Sequence, residues 1–241
     1  MLINEYLSVG EAWAVTAVIL GTVFLVLIAS GVFVGWTARS MPEDEDRRGI
    51  VLVPLLLIFW AASALATSLT VSLAFVWFLP FVLIPVFVGT ALSFWRPLVA
   101  ILRHTPTQWM IGLQTYRVVG MIFLFPMYTS GVLSAGFAFP AAIGDLITGL
   151  AAPYVAWRVA RDAEGAGALF VAWTIFGIAD LIIAPVSAAL WGFGADDRDL
   201  SFAITAIPLF LGPPFGILIH VLTWRSYMLR RRARATERAP G

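Results

Sequence analysis

Four ionisable side chains stand where almost nothing else is polar: Arg117, Asp145, Asp180 and His220 each fall inside a long apolar run. A charge near the centre of a bilayer costs about 2.5–3.5 kcal/mol on insertion scales, so such residues persist where they pair or line a polar pathway. One arginine neutralises one aspartate, which leaves the second carboxylate to take up a proton or bind a cation. Gln114, at i−3 from Arg117, extends the polar strip on the same helix face. Thr148, Gly149 and Ala152 follow Asp145 at helical spacing and form a small face suited to close helix approach. A structural reading stands beside this one. In it Arg117 pairs with Asp180 to fix which helices are neighbours, and Asp145 is hydrated from the outer surface.

The last apolar run, SFAITAIPLFLGPPFGILIHVL, carries Pro213 and Pro214 side by side. Proline removes a backbone donor and clashes with the preceding turn, so the helix must kink or unwind there. The freed carbonyls then need partners. Broken helices of this kind occur at substrate and ion sites of transporters, and also where a long helix is merely bent to fit its bundle. His220 follows the break, as a polar core residue or as an axial haem ligand with His104. The segments IGDLI (143–147) and IADLI (178–182) look alike on consecutive, oppositely directed runs, as inverted repeats do.

Other chemistries lack their residues. Zinc hydrolysis uses three protein ligands as a rule, and two histidines lie far from the aspartates, so no metal site is expected. The intramembrane aspartyl protease pattern fails because AIGD lacks the first glycine of GxGD and the tyrosine-aspartate partner is missing. The ADDRD stretch at 195–199 reads as a solvated acidic turn. There is no cysteine, which removes disulfides and thiolate chemistry. All fifteen basic residues are arginine, so no lysine exists to form a Schiff base with retinal or pyridoxal phosphate. That absence separates the chain from microbial rhodopsins, whose seven spans its pattern otherwise parallels. No catalytic residue and no resident cofactor are expected; haem or carotenoid are the remaining cofactor options.

The elements that position these residues follow from composition. The chain has 241 residues, 61% hydrophobic and 12% charged, with mean hydropathy +0.93. Soluble domains carry about 25% charged residues. A soluble enzyme, a nucleic-acid-binding domain and a disordered chain are therefore excluded. The expectation is an all-α, polytopic transmembrane helical bundle at 1–228, followed by a basic tail at 229–241. Seven spans are placed near 12–36, 50–72, 75–95, 107–128, 140–160, 166–191 and 201–226, or six if the second and third merge. On this division Arg117 and Asp180 both lie ~15 Å from the outer face and Asp145 ~8 Å, within reach of one another.

Thirteen arginines fall in the connections after spans one, three and five or in the tail, against the single Arg198 on the opposite side. That asymmetry predicts an N-terminus outside and a C-terminus in the cytoplasm, as in a bacterial inner membrane. Trp13, Trp77 and Trp191 fall at the predicted outer boundary, and Trp36, Trp95, Trp109, Trp157 and Trp224 at the inner one; Trp60 and Trp173 fall deeper, as packing residues. The acidic N-terminal flank argues against a cleaved signal. The tail LRRRARATER suits anionic lipid headgroups as well as setting topology. The functional expectation is a small-solute, proton or cation transporter or channel using Arg117, Asp145, Asp180 and Gln114. The alternative is a non-transporting sensor, assembly factor or complex subunit with a membrane-protein partner or as a homo-oligomer. A membrane-embedded enzyme or pigment-binding protein is the third.

Overall fold

In an apolar solvent a spanning segment must satisfy its own backbone, and helices do so within one segment. The computed structural model describes residues 9–70, 75–192 and 207–237, and they are helical with no strand among them. Helix α1 is Val9–Ser40, α2 Arg48–Thr70 and α3 Phe75–Leu92. A short α4, Arg96–His104, leads to α5, Thr107–Leu113. Helix α5 tightens directly into a 3-10 segment, Gln114–Phe123, and ends in a π turn, Leu124–Tyr128. Helices α6, Ala135–Ala160, and α7, Ala166–Trp191, follow. The last run enters as a π segment, Ile207–Phe215, and continues as α8, Gly216–Glu237.

Five of these helical stretches are long and apolar enough to cross a membrane, six if the bent α3–α4 pair counts as one span. The sequence reading places seven; the difference lies in the third run, where α3 qualifies only together with the bent α4, and in the last run. Its residues 201–206 fall outside the described residues, and the rest is broken inside the π segment before α8 turns arginine-rich. No single helix there meets the length and apolarity of a span. The ADDRD stretch also falls outside the described residues.

The stretch between the third and fourth runs is more than a connector. Helix α4 turns 84° from α3 and is strongly two-sided. Leu98, Ile101 and Leu102 are buried against Met41 and Met110, while Arg96 and Arg103 stay exposed. Pro97 stands in its first turn, where a missing N–H costs nothing. Such a helix, apolar beneath and basic above, suits the boundary between hydrocarbon and water.

The main core draws on α1, α2, α3, the 3-10 segment, α6 and the last run, with Ile19, Phe123, Met127, Ala138 and Phe215 nearly inaccessible. Outward-facing apolar side chains such as Phe24, Leu55, Phe87 and Leu190 are open, as expected of surfaces that meet lipid. Trp13, Trp36, Trp157, Trp191 and Trp224 are exposed, whereas Trp173 is buried.

The buried face of α4 generates a test. Ile101→Ala removes a side chain 4% exposed at the centre of its cluster and is expected to cost about 2–4 kcal/mol. Arg103→Ala on the open face should stay within about 0.5 kcal/mol. Thermal unfolding of the two variants in detergent checks the contrast.

Candidate functional site

A 3-10 helix has about three residues per turn, so positions i and i+3 eclipse, and runs beyond about four residues are uncommon. Here ten residues adopt it, and Gln114, Arg117, Gly120 and Phe123 line up at that spacing, all buried. The tighter winding turns a strip that would drift around an α-helix into one straight polar-and-small ridge. That ridge faces α6, and glycines set the approach of the two, and of α6 to α7. A Cβ at Gly120 would stand 2.6 Å from Asp145 Cβ, and one at Gly149 would stand 2.7 Å from the Val118 backbone nitrogen. At Gly144 a Cβ would occupy the position of the Asp180 carboxylate.

Into that seam Arg117 projects, 2% exposed. Its Nε donates to Asp145 Oδ1 at 2.6 Å, its Nη2 donates to Asp180 Oδ2, and its Nη1 donates to the Gly177 carbonyl at 3.1 Å. The planar fork of guanidinium suits such divided recognition, which an ammonium could not reproduce. The expected pairing with one aspartate is thus replaced by a bridge between two. Asp145, on α6, is the more open carboxylate, its side chain 17% exposed against 7% for Asp180 on α7. With both carboxylates ionised the cluster carries one net negative charge.

The break in the last run is tied to the same ridge. Gly212 departs from helical geometry (φ −70°, ψ −124°) just before Pro213 and Pro214. Leu211, ahead of the break, has its carbonyl capped by the Tyr116 hydroxyl at 2.6 Å. Gly216, beyond it, accepts from Gln114 Nε2 at 3.0 Å. Two consecutive turns of the 3-10 segment therefore hold both sides of the break and both carboxylates.

His220 lies one turn past Gly216 and is fully buried. Its ring packs 4.7 Å from that of Trp173 and closes on Gly177, whose carbonyl Arg117 contacts. Neither of its ring nitrogens has a hydrogen-bond partner among the described residues, and the same is true of Gln114 Oε1, Thr148 Oγ1 and Thr174 Oγ1. From His220 the buried face of α8 continues with Thr223 and Ser226, both fully buried. Ser226 Oγ meets Thr107 Oγ1 at 3.2 Å and donates to the Thr105 carbonyl at 3.3 Å; Thr105 Oγ1 meets Thr37 Oγ1 at 2.8 Å. A stripe of hydroxyls thus runs from the charge cluster toward the arginine-rich end. There Arg230 donates to the His104 carbonyl, and His104 Nε2 lies 3.1 Å from Glu45. In the neighbouring connection Arg48 hydrogen-bonds Asp46 and holds its carboxyl below the ordinary value.

The structure therefore brings together Gln114, Arg117, Asp145, Asp180, the Pro213–Pro214 break and His220. It does not bring His104 to His220, since His104 is level with Arg230, ten residues and ~15 Å further along α8. No group of three or more metal-ligating side chains occurs among the described residues. Sequence reasoning missed Tyr116 and the carbonyls of Leu211, Gly177 and Gly216. Tyr116 had a signal, since a tyrosine beside a buried arginine must also find an acceptor. The carbonyls had none.

A family described as "Domain of unknown function (DUF8737)" matches residues 74–227, more than half of the chain, and the protein belongs to it. The matched stretch holds every residue of the cluster and leaves α1 and α2 outside. No curated protein and no solved structure matches the chain.

Removing one partner of a buried ion pair strands the others, at a cost of about 3–5 kcal/mol. Arg117→Met is expected to lose that much, because two carboxylates remain without a cation. Arg117→Met combined with Asp145→Asn and Asp180→Asn should recover most of it. Denaturant unfolding of the single and triple variants is the measurement; a triple variant no more stable than Arg117→Met would contradict the pairing.

Proposed function

We propose that the protein is a small-solute, proton or cation transporter or channel of a bacterial inner membrane, with Arg117, Asp145 and Asp180 as its ion site. The observation that carries this reading is the charge balance of the cluster. One guanidinium meets two carboxyl groups, and with both ionised one further positive charge completes the balance. A proton on either carboxylate, or a bound monovalent cation, meets that need. Gln114 and Tyr116, on the 3-10 segment beside Arg117, hold the broken last run next to the site, where unwound backbone is available to a solute. The hydroxyl stripe from His220 through Thr223 to Ser226 extends polarity from the site toward the arginine-rich end.

In the same reading the last run completes seven spans, the N-terminus lies outside and the C-terminus lies in the cytoplasm. The arginine-rich tail then rests on anionic headgroups, at about 1 kcal/mol per arginine. No resident cofactor enters the scheme, and a visible absorption band in the purified protein would move the reading to haem or a pigment.

A second reading has its own supporting observation. All three guanidinium nitrogens of Arg117 are engaged within the bundle. That is what a structural lock between helices requires, as in a non-transporting sensor, assembly factor or complex subunit, alone or as a homo-oligomer.

Two experiments decide. In vesicles loaded with a pH-sensitive dye, Asp145→Asn and Asp180→Asn should each change proton, sodium or potassium flux by about tenfold, equivalent to about 1.4 kcal/mol of barrier. Unchanged flux in two folded variants, or none in the parent protein, would favour the second reading. Because the chain has no cysteine, single substitutions report topology cleanly. Glu43→Cys should react with an impermeant maleimide only after the cytoplasmic side is opened, and Asp196→Cys in intact cells.

A further inference from the structure

Between α2, α3 and α8 lies a cavity of about 370 Å³, within the range of ordinary ligand pockets, about 300–1,000 Å³. Its walls run from Trp60 to Val53 along α2, from Ile84 to Leu92 along α3 and from Pro214 at the end of the π segment to Leu222 on α8, with Ser30, Phe33 and Val34 of α1 beside them. Each stretch is eight or nine residues, ~10–12 Å from end to end, so the space is a slot parallel to the helices. The buried face of α4, with Leu98, Ile101 and Leu102, closes its base. Thr105, one of the few polar lining residues, is already satisfied, donating to the Ile101 carbonyl and meeting Thr37. A space lined by carbon does not hold water.

The rim decides what enters. Leu56, Phe59, Ile84 and Val88 line the slot and are also exposed on the outer surface of α2 and α3. The slot therefore communicates sideways with the surroundings of the bundle, which for apolar helices of this length are hydrocarbon. At its basic end the α3–α4 bend leaves Phe94 exposed, with the Arg225 guanidinium 3.8 Å above its ring and Arg96 two residues further on. Arg225 Nε has no hydrogen-bond partner among the described residues. Two arginines beside an apolar slot match a phosphate above a hydrocarbon chain.

We propose that this slot is a phospholipid site: one acyl chain enters between α2 and α3, and the phosphate lies against Arg96 and Arg225. It is separate from the charge cluster and from the tail, and it stands whether or not the protein transports an ion. The site joins α1 and α2, outside the family match, to the matched part of the chain, so the lipid would act as a filler across that seam.

The test uses the full-length protein in phosphatidylcholine vesicles containing phosphatidylglycerol. The probe is a phosphatidylglycerol with a photoactivatable diazirine midway along one acyl chain, and adducts are mapped by mass spectrometry. Any surrounding lipid labels the rim, Phe59 and Val88. Only a chain inside the slot reaches Met110, Phe215 and Ile219, which are buried. Adducts on these inner residues are expected. Val53→Trp should abolish them and leave rim labelling intact, and Arg96→Gln with Arg225→Gln should lower them several-fold. Labelling confined to the rim of the parent protein would overturn the proposal. So would cross-linking of two copies through the α2–α3 face with the inner residues unlabelled, which would assign the slot to a second subunit. Loss of ion flux in the vesicles, with inner labelling retained, would count against the transport reading alone.

Discussion

A guanidinium keeps its charge in any protein environment, so a buried arginine forces its surroundings to answer it. Arg117 does this to two helices at once. It takes a carboxylate from α6, and a carboxylate and a backbone carbonyl from α7. Each contact demands that its helix come close, and the seam is built accordingly. Gly120 makes room for Asp145, Gly144 makes room for Asp180, and Gly149 lets α6 approach the backbone at Val118. Substituting any of these would push a helix off the arginine. In lipid, where apolar burial gives helices little reason to associate, such packing and polar contacts are what select neighbours. The cluster therefore orders the middle of the bundle as well as charging it.

The winding of the 3-10 segment extends that order to the last run. An α-helix would rotate residues three apart by ~60° relative to one another each turn, while 3-10 winding stacks them. Gln114 and Arg117 consequently point along one ridge, and Tyr116 reaches the neighbouring break. A broken helix with unsatisfied carbonyls would be costly in a bilayer. Here the segment that carries the charge also supplies donors to Leu211 and Gly216 on either side of the break. Movement of the last run would be felt at Gln114 and Tyr116, one turn or less from Arg117. Such proximity offers a mechanical link between the helix break and the charge cluster.

Much of this was legible in the residues, for a physical reason. Charges in an apolar run are so costly that their positions alone single out the cluster, and Arg117, Asp145 and Asp180 do meet. The small face at Thr148, Gly149 and Ala152 likewise read correctly as a close-packing surface. What could not be read was how the guanidinium divides itself, since spacing shows which groups are within reach and not the winding between them. Ten residues of 3-10 helix leave no composition signal in QTYRVVGMIF. Helix α4 was hidden differently: it is short, and its proline, arginines and histidine resemble those of a loop. The 84° bend sets it apart from α3 as a separate helix. The hydroxyl stripe on α8 was visible only as single Thr and Ser residues, because its contacts join chain positions more than a hundred residues apart.

The charge balance remains the sharpest guide to what the cluster is for. A lock between α5's extension and α7 needs one arginine and one aspartate, and Asp180 alone would serve. A second buried carboxylate adds desolvation cost, and the single positive charge of Arg117 must then be shared between two anions. Gly120 and Gly144, held small to admit both side chains, show that the packing is arranged around two carboxyl groups rather than one. Sharing becomes favourable when a proton or small cation is present to balance the second carboxylate, and unfavourable when it leaves. An arrangement whose stability depends on a removable positive charge differs from a permanent staple, and it places the cluster's energetics on the same footing as binding.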